Sequence, residues 1–303
     1  MLPDPLLRLV RRLTLRARHL ARERLAGAYE SAIRGTGLTF AEVRMYQPGD
    51  DIRHFDWNVT ARTGVPHVKR FVEEREQVVW LLVDASGSQS FRSKNSEVRS
   101  ENEKQLAITQ SKRQCAAEVG ALVAFAAAAQ GDRVGLIHFS DTAEQIILPN
   151  KGDRHARRVV RELFTFRAKS RRTSINAALA VLRRRRRAVV FLLSDFRDPD
   201  CAAALRVPGR KHDLVAVVVR DPAEDHFPKA GLVQLADAET GGTVLLNTSK
   251  PSVREAYARA AGSRRETVNA MLRSAGVDIV DISTAGGHLE SLLEFFHRRE
   301  QRR

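Results

Sequence analysis

The sequence predicts an α/β protein with a mostly parallel sheet flanked by helices. Six apolar residues at 78–83 run unbroken into Asp84, as expected for a strand that is buried on both faces. Strand-like and helix-like segments alternate from that point onward, which is the pattern of a parallel sheet built from β-α-β units. The 303 residues, 43% of them hydrophobic, are enough for one large domain or two modest ones.

The elements are predicted in chain order from the apolar periodicity. A basic helix at 5–30 and a turn-rich segment precede the sheet, and 67–72 is expected as a strand leading toward its first core strand. The strands of the sheet are expected at 78–83, 133–139, 143–148, 188–193, 214–219 and 277–282. Segment 143–148 is predicted as an antiparallel edge strand, 230–247 as a β-ribbon and 89–103 as a polar insertion. Further helices are expected at 104–130, 153–164, 174–186, 199–205, 252–274 and 286–300. The sequence therefore predicts two parts of the chain. Residues 1–76 contain the N-terminal helix and the turn-rich segment, and residues 77–303 form the α/β domain.

The chain is strongly basic, with a net charge of +15. Such a charge suggests nucleic acid or an anionic membrane surface as a partner. However, the run from Arg183 to Arg187 lies at a predicted helix end, where cations complement the helix dipole. Aromatic residues make up only 6% of the chain, too few to suggest a base-stacking surface. Binding of nucleic acid or an anionic surface therefore remains an alternative function, and the basic N-terminal helix is expected to pack on its own protein.

The sequence contains few signals of targeting or covalent cross-linking. Arg8, Arg11 and Arg12 interrupt what would be the apolar part of a signal peptide, and no apolar run approaches the length of a membrane span. Cys115 and Cys201 are too few for a disulfide framework and are expected to be reduced, partly buried thiols. We therefore expect a cytoplasmic protein without a transmembrane segment, whose oligomeric state the sequence does not specify.

Oxygen-bearing side chains follow three predicted elements in a definite order. Asp84, Ser86 and Ser88 follow the first buried strand, Thr173 precedes a later helix, and Asp195 ends the next buried strand. Each of these residue types is common as a helix cap when it occurs singly. Together, at the edge of a sheet where ligands bind, they offer a set of oxygen ligands that suits Mg²⁺ or Mn²⁺.

This pattern resembles the metal-ion-dependent adhesion site of the von Willebrand factor A fold over about residues 77–285. The resemblance implies that Ser86, Ser88 and Thr173 bind the metal directly and that Asp84 and Asp195 act partly through water. It also implies that an Asp or Glu of a protein partner fills the open coordination position. A resemblance to that site implies binding through a shared metal, without bond breaking.

A second resemblance lies upstream, where residues 35–75 are similar to the signature of the bacterial DUF58 family. This signature contains Gly-x-Gly-x-x-Phe, then Val-Arg-x-Tyr-x-Pro-Gly-Asp-Asp-Ile-Arg, then Asp-Trp-Asn-x-x-Ala-Arg-x-Gly. The resemblance implies a MoxR-type AAA+ ATPase as a partner and a role as an adaptor in chaperone-like assembly or maturation. The signature residues singled out as structural or docking residues are Arg44, Tyr46, Gly49, Asp50, Asp51, Arg53, Asp56, Trp57 and Arg62.

The residues of the signature allow two interpretations. Pro48-Gly49 predicts a tight turn. The first interpretation is a buried ionic cluster in which Arg53, Asp56 and Arg62 surround Trp57. The alternative is a surface on which a partner docks.

Catalysis is a weaker hypothesis than binding. Ser86 lacks the Gly-x-Ser-x-Gly elbow of a serine hydrolase, and it occupies the position where a haloacid-dehalogenase-type phosphatase needs a second Asp. The chain also lacks the phosphate-binding loop of an ATPase. We therefore expect a non-catalytic, metal-dependent protein-interaction module, with a metal-dependent hydrolase as a further alternative.

Overall fold

A computed structural model describes residues 4–33, 38–73, 76–90, 111–198, 200–236, 238 and 241–302. Gly35, Gly37 and most of the polar stretch at 89–103 lie outside the described residues. Within them, the predicted mostly parallel α/β sheet flanked by helices is confirmed.

The main sheet has six strands in the order β10-β7-β6-β3-β4-β5. Five of its strands are parallel, and β5 pairs with β4 in the antiparallel direction at one edge, as the sequence predicts. The strands are β3 (Val78–Asp84), β4 (Arg133–Phe139), β5 (Ala143–Asn150), β6 (Val189–Ser194), β7 (Asp213–Arg220) and β10 (Asp278–Ser283). The predicted ribbon forms a separate hairpin of β8 (Leu232–Ala236) and β9 (Thr243–Asn247).

Helices pack on both sides of this sheet. They are α4 (Lys112–Ala129), α5 (Asp153–Thr165), α6 (Ile175–Ala180), α7 (Cys201–Lys211), α8 (Pro251–Ser274) and α9 (His288–Gln301). Helix α6 is shorter than the predicted 174–186, because residues 181–184 form turns before the next strand. Both cysteines are buried and free, as expected.

Close packing at the centre of the sheet explains one glycine. Gly135 of β4 faces Trp80 of β3 across the parallel ladder. A Cβ at position 135 would lie 2.8 Å from the Trp80 ring and 2.9 Å from Pro149, closer than carbon atoms approach. The absent side chain therefore lets the indole, which is 2% exposed, fill the space between neighbouring strands.

The N-terminal helices belong to the same compact unit as the sheet. This unit comprises Met1–Ala32 and Val78–Arg303. Its first elements are α1 (Asp4–Leu20), a π-helical segment (Ala21–Leu25) and α2 (Ala26–Ala32). The buried Tyr29 hydroxyl donates to Asp132 at 2.8 Å, and the Gln130 amide donates to the Ala26 carbonyl at 3.1 Å. The predicted segment 1–76 is thus divided, and its basic helix packs on its own protein.

A smaller unit spans Ile33–Gln77. It contains the antiparallel pair β1 (Leu38–Met45) and β2 (His67–Glu73) and the short helix α3 (Trp57–Thr63) between them. The predicted Pro48-Gly49 turn is confirmed, since the Asp50 amide donates to the Gln47 carbonyl at 3.0 Å. Across both units, no helix in the described part of the chain is long and apolar enough to span a membrane.

Candidate metal centre

The candidate centre lies at the carboxyl edge of the parallel sheet. Strand β3 has β4 on one side and β6 on the other. The chain continues from β3 to β4 and only later returns to β6, so the strand order reverses at β3. The loops after β3 and β6 therefore diverge and leave a crevice, which is where open α/β sheets bind their ligands. Asp84 ends β3, and Ser194 ends β6 directly before Asp195.

Asp84 is completely buried and held by hydrogen bonds from Ser86 and Ser194. Its Oδ1 accepts from the Ser86 amide at 2.9 Å, and its Oδ2 accepts from the Ser194 hydroxyl at 2.7 Å. The Ser194 oxygen in turn accepts from the Phe196 amide at 3.1 Å. These bonds link the ends of β3 and β6 and fix the orientation of the Asp84 carboxylate.

The two serine hydroxyls lie together on the loop after β3. The Oγ atoms of Ser86 and Ser88 are 3.1 Å apart, and both residues are buried. Between them, the Gly87 amide donates to the Arg171 carbonyl at 2.8 Å. A Cβ at position 87 would overlap the Ala238 carbonyl oxygen and lie 3.2 Å from the Arg171 Cβ. Only glycine therefore allows the loop to approach both neighbouring segments.

Substitution of Gly87 by alanine is expected to weaken Mn²⁺ binding about tenfold or more, because the loop must shift and carry both serine hydroxyls with it. Isothermal titration of the purified protein with Mn²⁺ measures this effect. Gly27→Ala is the matched control, since a Cβ at position 27 meets nothing within 4 Å. Equal affinity in the two variants would show that the position of this loop does not matter for the metal.

Thr173 and Asp195 approach the loop from different elements. Thr173 is half-buried and lies two residues beyond Arg171, whose carbonyl accepts from the Gly87 amide. The next residue, Ser174, caps α6 through its side chain, so the helix cap and the candidate ligand are separate residues. Asp195 is 9% exposed and follows the Ser194 that bonds Asp84. The structure thus brings the β3 loop, the segment before α6 and the end of β6 to one edge of the sheet.

Burial and the charge of Asp195 dominate the electrostatics of Asp84. Loss of solvent raises the pKa of Asp84 most, and the nearby charge of Asp195 raises it further, to about 7. The hydrogen bonds from Ser86 and Ser194 oppose this rise without cancelling it. In the absence of a cation, Asp84 is therefore mostly protonated below pH 7.

Three charged residues at this edge, which are Lys112, Arg197 and Glu224, were not singled out from the sequence. The Lys112 ammonium donates to Asp195 Oδ2 at 2.7 Å and to Glu224 Oε1 at 2.8 Å. Arg197 lies 3.0 Å from Glu224 Oε2 and 3.5 Å from Asp195 Oδ2. One signal was available, because lysine at the first position of a helix opposes the helix dipole and needs a compensating partner.

The donor set fits a hard divalent cation. All five predicted ligands offer oxygen, which Mg²⁺ and Mn²⁺ prefer. In the described part of the chain, Asp195 Oδ1 is buried and has no hydrogen-bond partner, an arrangement that a cation would relieve. The described residues contain no cluster of three His, Cys, Asp or Glu side chains able to hold a metal. A cation here would therefore depend on the hydroxyl groups as well as the two carboxylates.

The structure does not support a buried ionic cluster around Trp57. Trp57 is 69% exposed, and Arg53 and Arg62 are also exposed, so this interpretation was wrong. Asp56 is buried, but it caps α3 by accepting from the amides of Asn58 at 3.1 Å and Val59 at 3.2 Å. A cap needs no arginine partner, which explains why the arginines are free to face solvent.

The other signature residues shape the loop between β1 and β2. Arg44 donates to Asp50 Oδ1 at 2.5 Å, and the Gln47 amide donates to its Oδ2 at 2.9 Å. These bonds lower the pKa of Asp50. Asp51 caps the next turn by accepting from the Arg53 amide at 2.9 Å. The Gly49 backbone has a φ of +108°, a conformation that glycine adopts without strain.

The same loop presents an exposed apolar surface. The rings of Tyr46, Phe55 and Trp57 pack in series, with centroids 5.3 Å and 5.2 Å apart. Met45 is 63% exposed and Ile52 67% exposed. We call Met45, Tyr46, Ile52, Phe55 and Trp57 the aromatic patch; its exposure favours the docking interpretation of the signature.

The fold and the site define an α/β protein with an oxygen-lined crevice where the strand order of its sheet reverses. The chain belongs to the DUF58 family, described as a protein of unknown function, whose model matches residues 42–267. It is 32% identical over 282 residues to Uncharacterized protein Rv1480 of Mycobacterium tuberculosis, covering 91% of this chain and 84% of that one. Uncharacterized protein Mb1516 of Mycobacterium bovis matches with the same identity and coverage.

The solved structures found to be similar to this chain have low sequence identity to it. One is the conserved hypothetical protein BatB from Bacteroides thetaiotaomicron, at 12% identity and a TM-score of 0.46, covering 74% of this chain and 99% of that one. Another is an aerotolerance-related membrane protein from Bacteroides fragilis, at 14% identity and a TM-score of 0.42, covering 73% and 99%.

Proposed function

We propose that this protein is a non-catalytic interaction module that binds a protein partner through a divalent metal at the carboxyl edge of its sheet. Asp84, Ser86, Ser88, Thr173 and Asp195 would hold Mg²⁺ or Mn²⁺ in the manner of a metal-ion-dependent adhesion site. When bound, the metal would act as a Lewis acid that accepts a carboxylate oxygen from the partner.

One observation carries this proposal. The buried Asp84 and Asp195 converge beside two buried serine hydroxyls, and one oxygen of Asp195 has no hydrogen-bond partner among the described residues. The charge of Asp195 disfavours ionisation of Asp84, and a divalent cation between the two carboxylates would relieve this repulsion. Because Lys112 and Arg197 already pair with Asp195, the protein would leave a bound divalent cation incompletely neutralised, and an outside carboxylate would then complete its coordination.

The chemistry of the described site favours binding over bond cleavage. The Ser86 hydroxyl lies 3.1 Å from that of Ser88 and hydrogen-bonds the Asp84 carboxylate, which the proposal assigns to the metal. His138 lies under Phe166, with ring centroids 4.2 Å apart, and burial lowers its pKa to about 3. A histidine with so low a pKa is a weak base, and neither ring nitrogen of His138 has a hydrogen-bond partner among the described residues, so His138 is a poor proton acceptor for Ser86.

The partner we propose is a MoxR-type AAA+ ATPase, with this protein as its adaptor in assembly or maturation of other proteins. The family resemblance supports this assignment. The aromatic patch, which lies on the smaller unit, gives the protein a second surface on which the partner would dock. The patch needs no metal, so the two surfaces are separable by experiment.

Metal removal tests the proposal directly. Tagged protein is used to capture a purified MoxR-type ATPase encoded by the same genome, first in Mg²⁺ and then in EDTA. We expect capture in Mg²⁺ and its loss in EDTA, with recovery when Mg²⁺ is added back in excess. Equal capture under all three conditions would contradict the metal mechanism and would place the contact on the aromatic patch or another metal-independent surface.

A further inference from the structure

Lys112 occupies a position that is unfavourable in two respects. Its side chain is completely buried, and burial of an ammonium group is costly without close anionic partners. It is also the first residue of α4, where the helix dipole disfavours a positive charge. The neighbouring Ser111 already caps this helix by accepting from the Gln114 amide, so Lys112 does not serve as the cap.

The contacts of Lys112 compensate both penalties. Its Nζ donates to Asp195 Oδ2 at 2.7 Å and to Glu224 Oε1 at 2.8 Å, two charge-assisted bonds of good length. Arg197, which is partly exposed, contacts the carboxylates of both Asp195 and Glu224. Glu224 ends a short turn after β7, so Lys112 joins α4, β6 and the loop beyond β7.

The two carboxylate oxygens of Asp195 consequently lie in different environments. Its Oδ2 contacts Lys112 and Arg197, whereas its Oδ1 is buried without a hydrogen-bond partner among the described residues. The ammonium therefore fixes the plane of the carboxylate and presents the other oxygen. It also neutralises much of the charge that this oxygen would offer to a divalent cation.

We propose that Lys112 is a positioning residue that sets the metal affinity of the site, an inference that rests on the proposed function. The positive charges of Lys112 and Arg197 balance two of the three negative charges that Asp84, Asp195 and Glu224 carry when ionised. One negative charge then remains to balance a divalent cation. The metal alone then binds weakly, and the carboxylate of a partner supplies the missing charge. Metal and partner each raise the affinity of the site for the other, because coupling between two ligands is reciprocal.

Isothermal titration with Mn²⁺ tests this inference without any partner. We expect Lys112→Met to bind Mn²⁺ about tenfold more tightly than wild type, because the repulsive charge is gone while the aliphatic stem is kept. Lys112→Arg keeps the charge and is expected to restore the wild-type affinity. Lys211→Met is a matched control. Lys211 is the last residue of α7 and donates to the Arg183 carbonyl, so it takes no part in the cluster of Lys112, Asp195, Arg197 and Glu224. Equal or weaker Mn²⁺ binding by Lys112→Met would overturn the inference.

A second pair of variants covers the event that Lys112→Met does not fold. Glu224→Gln combined with Lys112→Met removes one positive and one negative charge, so the buried group keeps its summed charge. We expect this double variant to bind Mn²⁺ more tightly than Glu224→Gln alone. Equal or weaker binding would overturn the inference in the same way.

The outcomes distinguish the inference from the proposed function. If wild type captures its partner only with metal and Lys112→Met binds Mn²⁺ no more tightly, the inference alone fails. If the Mn²⁺ affinities of the variants rank as expected but capture of the partner does not require the metal, the proposed interaction function alone fails. If neither wild type nor any variant binds Mn²⁺, both fail.

Discussion

Asp84→Ala is expected to abolish metal-dependent capture of the partner. Asp84 is the buried carboxylate that links the loop after β3 to the end of β6, through the Ser86 amide and the Ser194 hydroxyl. Its removal deletes one of the two carboxylates that would bind the cation and releases the loop that carries the serines. We expect Mn²⁺ affinity to fall about a hundredfold or more, and capture in Mg²⁺ to fall to the level seen in EDTA.

The fold is expected to survive this substitution. Loss of Asp84 removes a buried charge and its repulsion with Asp195, so the variant keeps a cooperative melting transition. Asp200→Ala is the control, because Asp200 is exposed and its side chain makes no capping bond at the start of α7. Partner capture by Asp84→Ala at the wild-type level in Mg²⁺ would contradict a metal-bridged mechanism.

Local sequence signals were sufficient to predict the mostly parallel sheet and to bring the candidate ligands to one of its edges. The apolar run before Asp84 and the one before Asp195 predict buried strands, and parallel strands bring their carboxyl ends to one edge. The serine spacing after Asp84 is also local. These features depend on residues within a few positions of each other, which is why one sequence is enough to find them.

Long-range contacts were not predictable in the same way. Lys112 lies 83 residues from Asp195 and 112 from Glu224, so no local pattern joins them. The error at Trp57 has a different cause. Arginines near an aspartate suggest ion pairs, but Asp56 instead accepts from backbone amides at the start of α3, a local alternative that competes with side-chain pairing.

The metal-free protein is expected to lose stability as the pH rises from about 4 to 7. Asp84 has a pKa of about 7 in the folded protein, whereas its ordinary value is 3.8. In this interval the folded state holds a proton that the unfolded state has released, so each rise in pH favours unfolding. The loss is on the order of 2–4 kcal/mol and is complete once the pH exceeds the folded pKa.

Asp84→Asn isolates this effect, because asparagine keeps the shape of the side chain but does not ionise. Its oxygen still accepts from the Ser86 amide, and its amide group faces the Ser194 hydroxyl, which also accepts hydrogen bonds. Urea unfolding in EDTA at pH 5 and pH 8 gives the free energy of unfolding for both proteins. We expect a larger decrease between these pH values for wild type than for Asp84→Asn.

The same measurement with Mg²⁺ connects stability to binding. A divalent cation favours the ionised Asp84 and screens it from Asp195, so Mg²⁺ is expected to restore the stability of wild type at pH 8 and to leave Asp84→Asn nearly unchanged. The other charges facing this pair, Lys112, Arg197 and Glu224, are present in both proteins and cancel in the comparison. Parallel pH profiles of the two proteins, with no response to Mg²⁺, would show that the two aspartates neither repel each other nor share a cation.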